Sequence, residues 1–210
     1  MDGVLVDTYA AHYESWQRMA RRDGLDFTRE DFAATFGRTS REIIAHFWGD
    51  GRYSEAQMAE LDDLKEAALR EIIAADFPAM PGARELLDEL HASAVKLAVG
   101  SSGPAENVDL VLERLDARRL FDAIVTADDV TRGKPDPQVF LIAAEKLAIA
   151  PQRCVVVEDA RQGVEAAKAA GMSCVGMLST GRTAESLRAA DMLISSLGEL
   201  SADVVRNLIP

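Results

Sequence analysis

The sequence predicts an α/β fold in which a parallel sheet core carries an inserted, all-helical cap domain. From Pro81 onward, short apolar runs alternate with helical segments, a pattern typical of a parallel sheet covered by helices on both faces. From about Thr8 to Phe77, apolar residues recur at helical spacing instead. We therefore expect an α/β core made of residues 1–7 and 80–210, and a helical cap made of residues 8–79.

The insertion is predicted to begin with a helix over residues 8–22, in which aromatic residues recur at helical spacing. Asp7 or Thr8 is its predicted N-cap. Ser40 and Ser54 each precede a further apolar-periodic stretch, so they are the predicted caps of two more helices.

In the remainder of the chain, helical and strand patterns alternate in order. The predicted helices cover residues 82–92, 104–116, 137–147, 161–170 and 182–189. The predicted strands cover residues 95–99, 123–125, 154–157, 174–177 and 192–194.

Composition narrows the possible partners. The formal net charge is −12, a field that repels nucleic acid and anionic membranes, so neither is expected as a partner. No apolar run approaches the roughly 20 residues of a bilayer span, and residues 1–7 do not resemble a secretory signal. We therefore expect a cytoplasmic protein. Cys154 and Cys174 lie in apolar runs and are predicted to be buried thiols.

Polar residues follow three of the predicted strands, where a parallel sheet places its ligands. Ser101 and Ser102 follow the first strand, Lys134 lies beyond the second, and Glu158 and Asp159 follow the third. Hydroxyl groups and a lysine suit phosphate, and paired carboxylates offer the hard oxygens that Mg²⁺ takes. The sequence therefore predicts a site for phosphate and a divalent cation.

Each of these signals has an ordinary structural explanation when taken singly. A Ser-Ser-Gly stretch is often just a turn, a single lysine is usually solvated, and an acidic pair after a strand often caps a helix. Their order along the chain and their common sheet edge favour the functional interpretation.

The motifs resemble, in order, those of the haloacid dehalogenase superfamily of phosphohydrolases. They are Asp2-Gly3-Val4-Leu5-Val6-Asp7, then Ser101, then Gly133-Lys134-Pro135-Asp136-Pro137, then Val156-Val157-Glu158-Asp159. The insertion after the first motif is similar to the helical-cap subgroup, which includes β-phosphoglucomutases and phosphoglycolate phosphatases. The resemblance spans nearly the whole chain and implies a Rossmann-like core.

The resemblance also implies roles for the motif residues. Asp2 matches the general acid/base, and Lys134 matches the cation that holds the nucleophile and the phosphoryl group together. Ser101, with Ser102 beside it, matches the phosphate-binding position. Glu158 and Asp159 match ligands of Mg²⁺, the implied cofactor. The implied mechanism passes through an aspartyl-phosphate.

The family's first motif is Asp-x-Asp-Gly, and its first aspartate is the nucleophile. If Asp2 is the second aspartate, the nucleophile lies immediately before Met1, together with a strand that the family places in the middle of the sheet. We therefore expect the 210-residue chain to be catalytically inactive, with strand edges left unpaired. Either the true start lies upstream, or the protein is a non-catalytic relative that binds a metabolite.

Four polar residues of the cap are candidate substrate contacts: His12, Arg38, Arg41 and Lys65. Of these, His12, Arg41 and Lys65 resemble positions of the β-phosphoglucomutase branch. Each has the alternative of being a solvent-facing charge, and for His12 a semi-buried structural histidine is a further alternative. Trp16 matches an aromatic in the same branch or is a core residue.

The predicted function is a Mg²⁺-dependent phosphatase for a small phosphorylated metabolite such as a sugar phosphate. A β-phosphoglucomutase-like mutase is the alternative enzyme, and a metabolite-binding pseudoenzyme is the alternative outside enzymes. A monomer or weak dimer is expected.

Overall fold

The computed structural model describes residues 1–49 and 51–210. It divides the chain into two compact units: a core of Met1–Asp7 with Pro78–Pro210, and a helical unit of Thr8–Phe77. The second boundary lies at Phe77 and Pro78, slightly before the predicted one. An α/β core with parallel strands and an inserted helical unit confirms the predicted fold class.

The helical unit contains four helices within its described residues: α1 Tyr9–Arg22, α2 Arg29–Thr35, α3 Ser40–Trp48 and α4 Glu55–Ala75. Ser54 caps α4 as predicted, accepting a hydrogen bond from the Gln57 N–H. The prediction for Ser40 is wrong by one residue. Thr39 is the N-cap of α3, because its hydroxyl accepts from the Glu42 N–H while the Glu42 carboxylate bonds back to Thr39.

The helical unit has its own core of aromatic and aliphatic side chains. Trp16 is 3% exposed and lies 6.1 Å from Trp48, ring centre to ring centre, so it is a core residue. Asp23 links the end of α1 to α3 and to the segment before α4. Its carboxylate accepts hydrogen bonds from Trp48 Nε1 at 2.6 Å and from the Tyr53 hydroxyl at 2.9 Å.

The core unit alternates helices and strands as predicted, except that no helix lies between the last two strands in the described part of the chain. Within the described residues its α-helices are α5 Ala83–Ala92, α6 Ala105–Arg114, α7 Gln138–Leu147, α8 Arg161–Ala169 and α9 Ala202–Asn207. Its strands are β1 Ala98–Gly100, β2 Ala123–Val125, β3 Val155–Glu158, β4 Ser173–Met177 and β5 Met192–Ile194. None of the helices in the described ranges combines the length and hydropathy that a bilayer crossing needs.

The strands form two separate parallel sheets rather than one. β1 pairs with β2, and β3 pairs with β4, which pairs with β5. In the described residues, therefore, β1 and β3 each have a single strand partner. The side chains of α7 and α8 nevertheless share one apolar core with both sheets, which includes Ala98 of β1 and Val156 of β3.

Three details of the sequence prediction are wrong. The first predicted strand, 95–99, is shifted: β1 covers only Ala98–Gly100. Residues 182–189 do not form a helix: they form consecutive turns whose N–H groups bond to carbonyls three residues back, such as Leu187 to Ala184. The Leu187 side chain is completely buried, so packing fixes these turns against local helix propensity. Cys174 is buried as predicted, but Cys154 is only partly buried.

Candidate active site

The N-terminal turn lies against Asp159. Residues 1–6 form a tight turn closed by the Gly3 N–H, which donates to the Val6 carbonyl at 2.8 Å. Gly3 has a φ of +65°, and a Cβ there would lie 2.3 Å from Asp159 Oδ2. Only glycine allows this backbone to approach the carboxylate so closely. Asp2 is therefore held next to a residue in direct contact with Asp159.

Ser101 follows β1 in the core. It is 4% exposed, and its N–H donates to the Val125 carbonyl at 2.9 Å, one residue beyond the β1–β2 ladder. Its Oγ accepts a bond from the Gly103 N–H at 3.1 Å, so the hydroxyl proton remains available for an acceptor such as a phosphate oxygen. Helix α6 starts shortly after this turn, and helix N-termini favour anions. Ser102 is exposed.

Lys134 connects the two sheets. Its Nζ donates to the Gly100 carbonyl at 3.2 Å and forms an ion pair with Glu158 Oε1. It also lies 4.8 Å from the ring centre of Phe140, and its side chain is 13% exposed. Gly100 ends β1 and Glu158 ends β3, so the carboxyl ends of these two strands meet at one ammonium group.

Glu158 is 7% exposed and has bonds at both carboxylate oxygens. Oε1 is paired with Lys134, while Oε2 accepts from the N–H groups of Asp159 and Ala160 at 3.1 and 3.2 Å. Helix α8 packs closely against this carboxylate. A Cβ on Gly163 would lie only 2.1 Å from Glu158 Cδ. The glycine soon after the acidic pair is therefore explained by the room that the carboxylate needs.

Asp159 is also 7% exposed and pairs with an arginine that the sequence analysis missed. Arg182 Nε donates to Asp159 Oδ2 at 2.9 Å, and the Ser179 hydroxyl donates to the same oxygen at 3.3 Å. Both donors come from the turn that follows β4. No local motif marks Arg182, because it lies far along the chain from Asp159 and inside a stretch that reads as a helix.

The two carboxyls have opposite pKa shifts. Burial works to raise the pKa of Glu158, but the positive charges of Lys134 and of the amino terminus outweigh it, so the pKa is lowered. Burial also raises the pKa of Asp159, and there Arg182 offsets it only in part, while the nearby Glu158 charge adds to the rise. Glu158 is thus the more firmly ionised member of the pair.

The donor chemistry fits a hard divalent cation. Among residues 1–49 and 51–210, the hydrogen bonds to the Asp159 carboxylate come from Ser179 and Arg182 and end on Oδ2. Oδ1 is therefore the oxygen that can take another ligand. Mg²⁺ is commonly held by one or two carboxylates, with water and substrate phosphate completing its shell. Among the described residues, no group of three or more His, Cys, Asp or Glu side chains is arranged to hold a metal. Asp159, with Glu158 beside it, is the set that fits.

The four predicted residues of the helical unit separate into two kinds. Lys65 is 3% exposed, and its Nζ lies 2.9 Å from His12 Nδ1, 2.6 Å from Glu66 Oε1 and 5.5 Å from the ring centre of Trp16. Arg41 forms an ion pair with Glu55 at the surface, and Arg38 is exposed. The structure thus brings His12 and Lys65 together, whereas Arg38 and Arg41 have the surroundings of surface charges.

Comparison with known proteins decides the family. The family model for haloacid dehalogenase-like hydrolases matches residues 1–177. The chain belongs to this family. The match spans the N-terminal turn, Ser101, Lys134 and the Glu158–Asp159 pair, the residues that converge at the carboxyl ends of β1 and β3.

Relatives of this haloacid dehalogenase-like chain include enzymes of two kinds. It is 36% identical over 204 residues, 95% of this chain and 92% of the relative, to validoxylamine A 7'-phosphate phosphatase of Streptomyces hygroscopicus subsp. limoneus. It is 31% identical over 211 residues, 98% of this chain and 91% of the relative, to β-phosphoglucomutase of Bacillus subtilis strain 168.

The fold likeness extends over the full length. A haloacid dehalogenase hydrolase of family IA, variant 3, from Entamoeba histolytica superposes with a TM-score of 0.91. That comparison covers 100% of this chain and 96% of the other at 24% identity. It supports the architecture of an α/β core with a helical cap.

Proposed function

We propose that this protein is a Mg²⁺-dependent phosphatase for a small phosphorylated metabolite of the sugar phosphate class. The observation that carries the proposal is the meeting of Ser101, Lys134 and Glu158 at one edge of the core, with Asp159 next in the chain. A chain with a net charge of −12 repels a phosphate, so binding requires a local excess of hydrogen-bond donors and cations. This edge of the core supplies them.

Each residue has a proposed task that its contacts support. The Ser101 hydroxyl and the backbone N–H groups of its turn bind phosphate oxygens. Lys134 neutralises charge that develops on the transferring phosphoryl group, and its bonds to Gly100 and Glu158 hold it in place for that purpose. Ser102 is proposed as an accessory phosphate ligand at the exposed side of the turn.

Asp2 is proposed as the general acid/base. Held beside Asp159 by the Gly3 turn, it would protonate the leaving oxygen and later take a proton from water. Asp159 would hold Mg²⁺ through Oδ1, and Glu158 directly or through a water. When bound, the cation would supply positive charge that offsets the repulsion between a carboxylate and a phosphate.

The proposed nucleophile is an aspartate immediately before Met1, as the Asp-x-Asp-Gly pattern implies. We therefore expect no turnover from the 210 residues alone. The test adds an N-terminal extension of roughly ten residues, enough for one strand, that ends in aspartate. Phosphate release from a panel of sugar phosphates would be measured with and without Mg²⁺.

The matched control is the same extension ending in asparagine. We expect Mg²⁺-dependent phosphate release only from the aspartate form. Equal release by the asparagine form or by the unextended chain would show that the nucleophile is assigned wrongly. Metal-dependent binding without turnover in the aspartate form would favour the pseudoenzyme alternative.

A phosphosugar mutase is the second candidate, favoured by the 31% identity to β-phosphoglucomutase and by the contact between the buried Lys65 and the partly buried His12. We propose His12 and Lys65 as substrate contacts of the helical unit, with Arg41 and Arg38 as weaker candidates. β-Glucose 1-phosphate separates the two activities, because a mutase yields glucose 6-phosphate whereas a phosphatase yields free phosphate. Phosphate release without isomer formation would refute the mutase.

A further inference from the structure

We propose that Arg182 is a positioning residue for cation binding: it fixes one oxygen of Asp159 so that the other is presented to the metal ion. This inference rests on the proposed function, in which Asp159 is a cation ligand. It adds a residue from a different part of the chain, which none of the sequence motifs contains.

The geometry of the turn is the first argument. The Arg182 N–H donates to the Ser179 carbonyl at 3.0 Å, which fixes the two residues relative to each other. Their side chains then converge on a single acceptor, Asp159 Oδ2, at 2.9 Å for Arg182 Nε and 3.3 Å for Ser179 Oγ. The Gly3 backbone packs against the same oxygen. Oδ2 is thus held from three sides.

Burial is the second argument. The Arg182 and Asp159 side chains are 13% and 10% exposed, so this is not a solvated surface pair whose geometry has little meaning. A carboxylate with one oxygen fixed by donors has few rotamers left. Carboxylates that bind metals are commonly oriented by such hydrogen bonds, and losing one typically costs about 10–100-fold in metal affinity.

If Arg182 were only a counter-ion for Asp159, its removal would change cation affinity in the opposite direction. A binding measurement can therefore separate a counter-ion role from a positioning role. If Arg182 only neutralised Asp159, it would compete with a cation, and its removal would strengthen cation binding. If it positions the carboxylate, removal weakens binding even though a positive charge is lost. The direction of the change in Kd therefore decides between them.

The experiment measures Mn²⁺ binding to the complete chain by the loss of the free-ion electron paramagnetic resonance signal, without substrate. We expect Arg182→Gln to raise the Kd by about 10–100-fold, and Arg182→Lys to recover part of the loss. Thr180→Val is the matched control. Thr180 lies in the same turn, but its hydroxyl donates to Asp7 Oδ2 at 2.6 Å and not to Asp159. The Kd of the Thr180→Val variant for Mn²⁺ should therefore match that of the wild type.

A double-mutant comparison checks that Arg182 acts through Asp159. In an Asp159→Asn background, adding Arg182→Gln should leave the Kd unchanged. Should Arg182→Gln fail to fold by circular dichroism, Arg182→Lys and Ser179→Ala carry the test, each with a smaller expected rise in Kd.

Unchanged or tighter Mn²⁺ binding by the Arg182 variants, with normal binding by the wild type, would overturn the positioning role alone. No Mn²⁺ binding by the wild type would contradict both this inference and the metal dependence of the proposed function. A higher Kd for Arg182→Gln than for the wild type, with an intermediate Kd for Arg182→Lys, would support the proposal.

Discussion

Replacing Gly163 by alanine tests whether the Glu158 carboxylate is held where the structure places it. Gly163 lies inside helix α8, where alanine is normally better than glycine by about 1 kcal/mol. Here the new Cβ would lie 2.1 Å from Glu158 Cδ and 2.3 Å from each carboxylate oxygen. The substitution therefore sets a local gain against a steric clash with a buried, ion-paired group.

We expect the steric clash to outweigh the gain in helix propensity, so that the substitution lowers stability. Glu158 is bonded to Lys134 through one oxygen and to two backbone N–H groups through the other, so it cannot move aside without losing them. Overpacking costs about 1–3 kcal/mol, and disrupting a buried ion pair about 3–5 kcal/mol. Allowing for partial relaxation and the gain in helix propensity, we expect Gly163→Ala to lower the free energy of unfolding by about 2–4 kcal/mol.

The assay is urea denaturation followed by far-ultraviolet circular dichroism and by pulsed labelling of the Cys174 thiol. Cys174 is a suitable probe because it lies in the core unit, in β4, whereas both tryptophans, Trp16 and Trp48, lie in the helical unit. Gly133→Ala is the control, because a Cβ there meets nothing within 4 Å; we expect it to be neutral or slightly stabilising. A Gly163→Ala protein as stable as the wild type would refute the reasoning.

Three further outcomes follow from the contacts. Cys174 is buried, and burial raises the pKa of its thiol to about 12. At pH 8 a thiol reagent should therefore label the partly buried Cys154 first and Cys174 only after the protein unfolds. Fast labelling of Cys174 in the folded protein would contradict the structure. Hydrogen bonding to Lys168 lowers the pKa of Asp191, so this carboxylate stabilises the fold above its ordinary pKa and the contribution is lost as the pH falls through the lowered value. Urea denaturation at pH 7, 4 and 3 should then show a shallower acid decline for Asp191→Asn than for the wild type, and identical profiles would count against the pair. In the extended, active form, Lys65→Met should reduce kcat/KM by about 10–100-fold if one charge-assisted hydrogen bond to substrate is lost, whereas unchanged kinetics would make Lys65 a purely structural residue.

The existence of all five strands was predictable from local apolar runs, although the first predicted strand, 95–99, starts three residues before β1. The run Ala123–Val125 is bounded by polar and turn residues and forms β2 with the predicted bounds. The motif residues were predictable for the same reason, since Ser101 directly follows β1, Glu158 is the last residue of β3 and Asp159 follows it. Parallel strands present their carboxyl ends at one edge, so sequence order was enough to bring these residues together.

The contacts that depend on distant parts of the chain were not predictable. Arg182 reads as part of a helix, because the residues after it have good helix propensity. Its segment forms turns instead, since burial of Leu187 fixes the backbone. The choice of Thr39 over Ser40 as the N-cap of α3 likewise depends on where Glu42 reaches back, and two adjacent hydroxyl residues give no local signal to decide it.

The strands form two sheets, β1–β2 and β3–β4–β5, that share no ladder in the described residues. This arrangement predicts that an N-terminal extension changes stability and activity independently. Val155, Val156 and Val157 form the kind of β-branched run that a fully enclosed strand has, yet all three are only partly buried. Lys134 joins the carboxyl ends of β1 and β3, so in the described residues the two strands end close together without sharing a ladder. A parallel strand entering between them would pair both edges and cover these valines. The extension ending in asparagine should therefore raise the free energy of unfolding as much as the one ending in aspartate, while only the aspartate form gains activity. If neither extension raised stability, the edges of β1 and β3 would not be accepting a strand, and the site would have to be completed in another way.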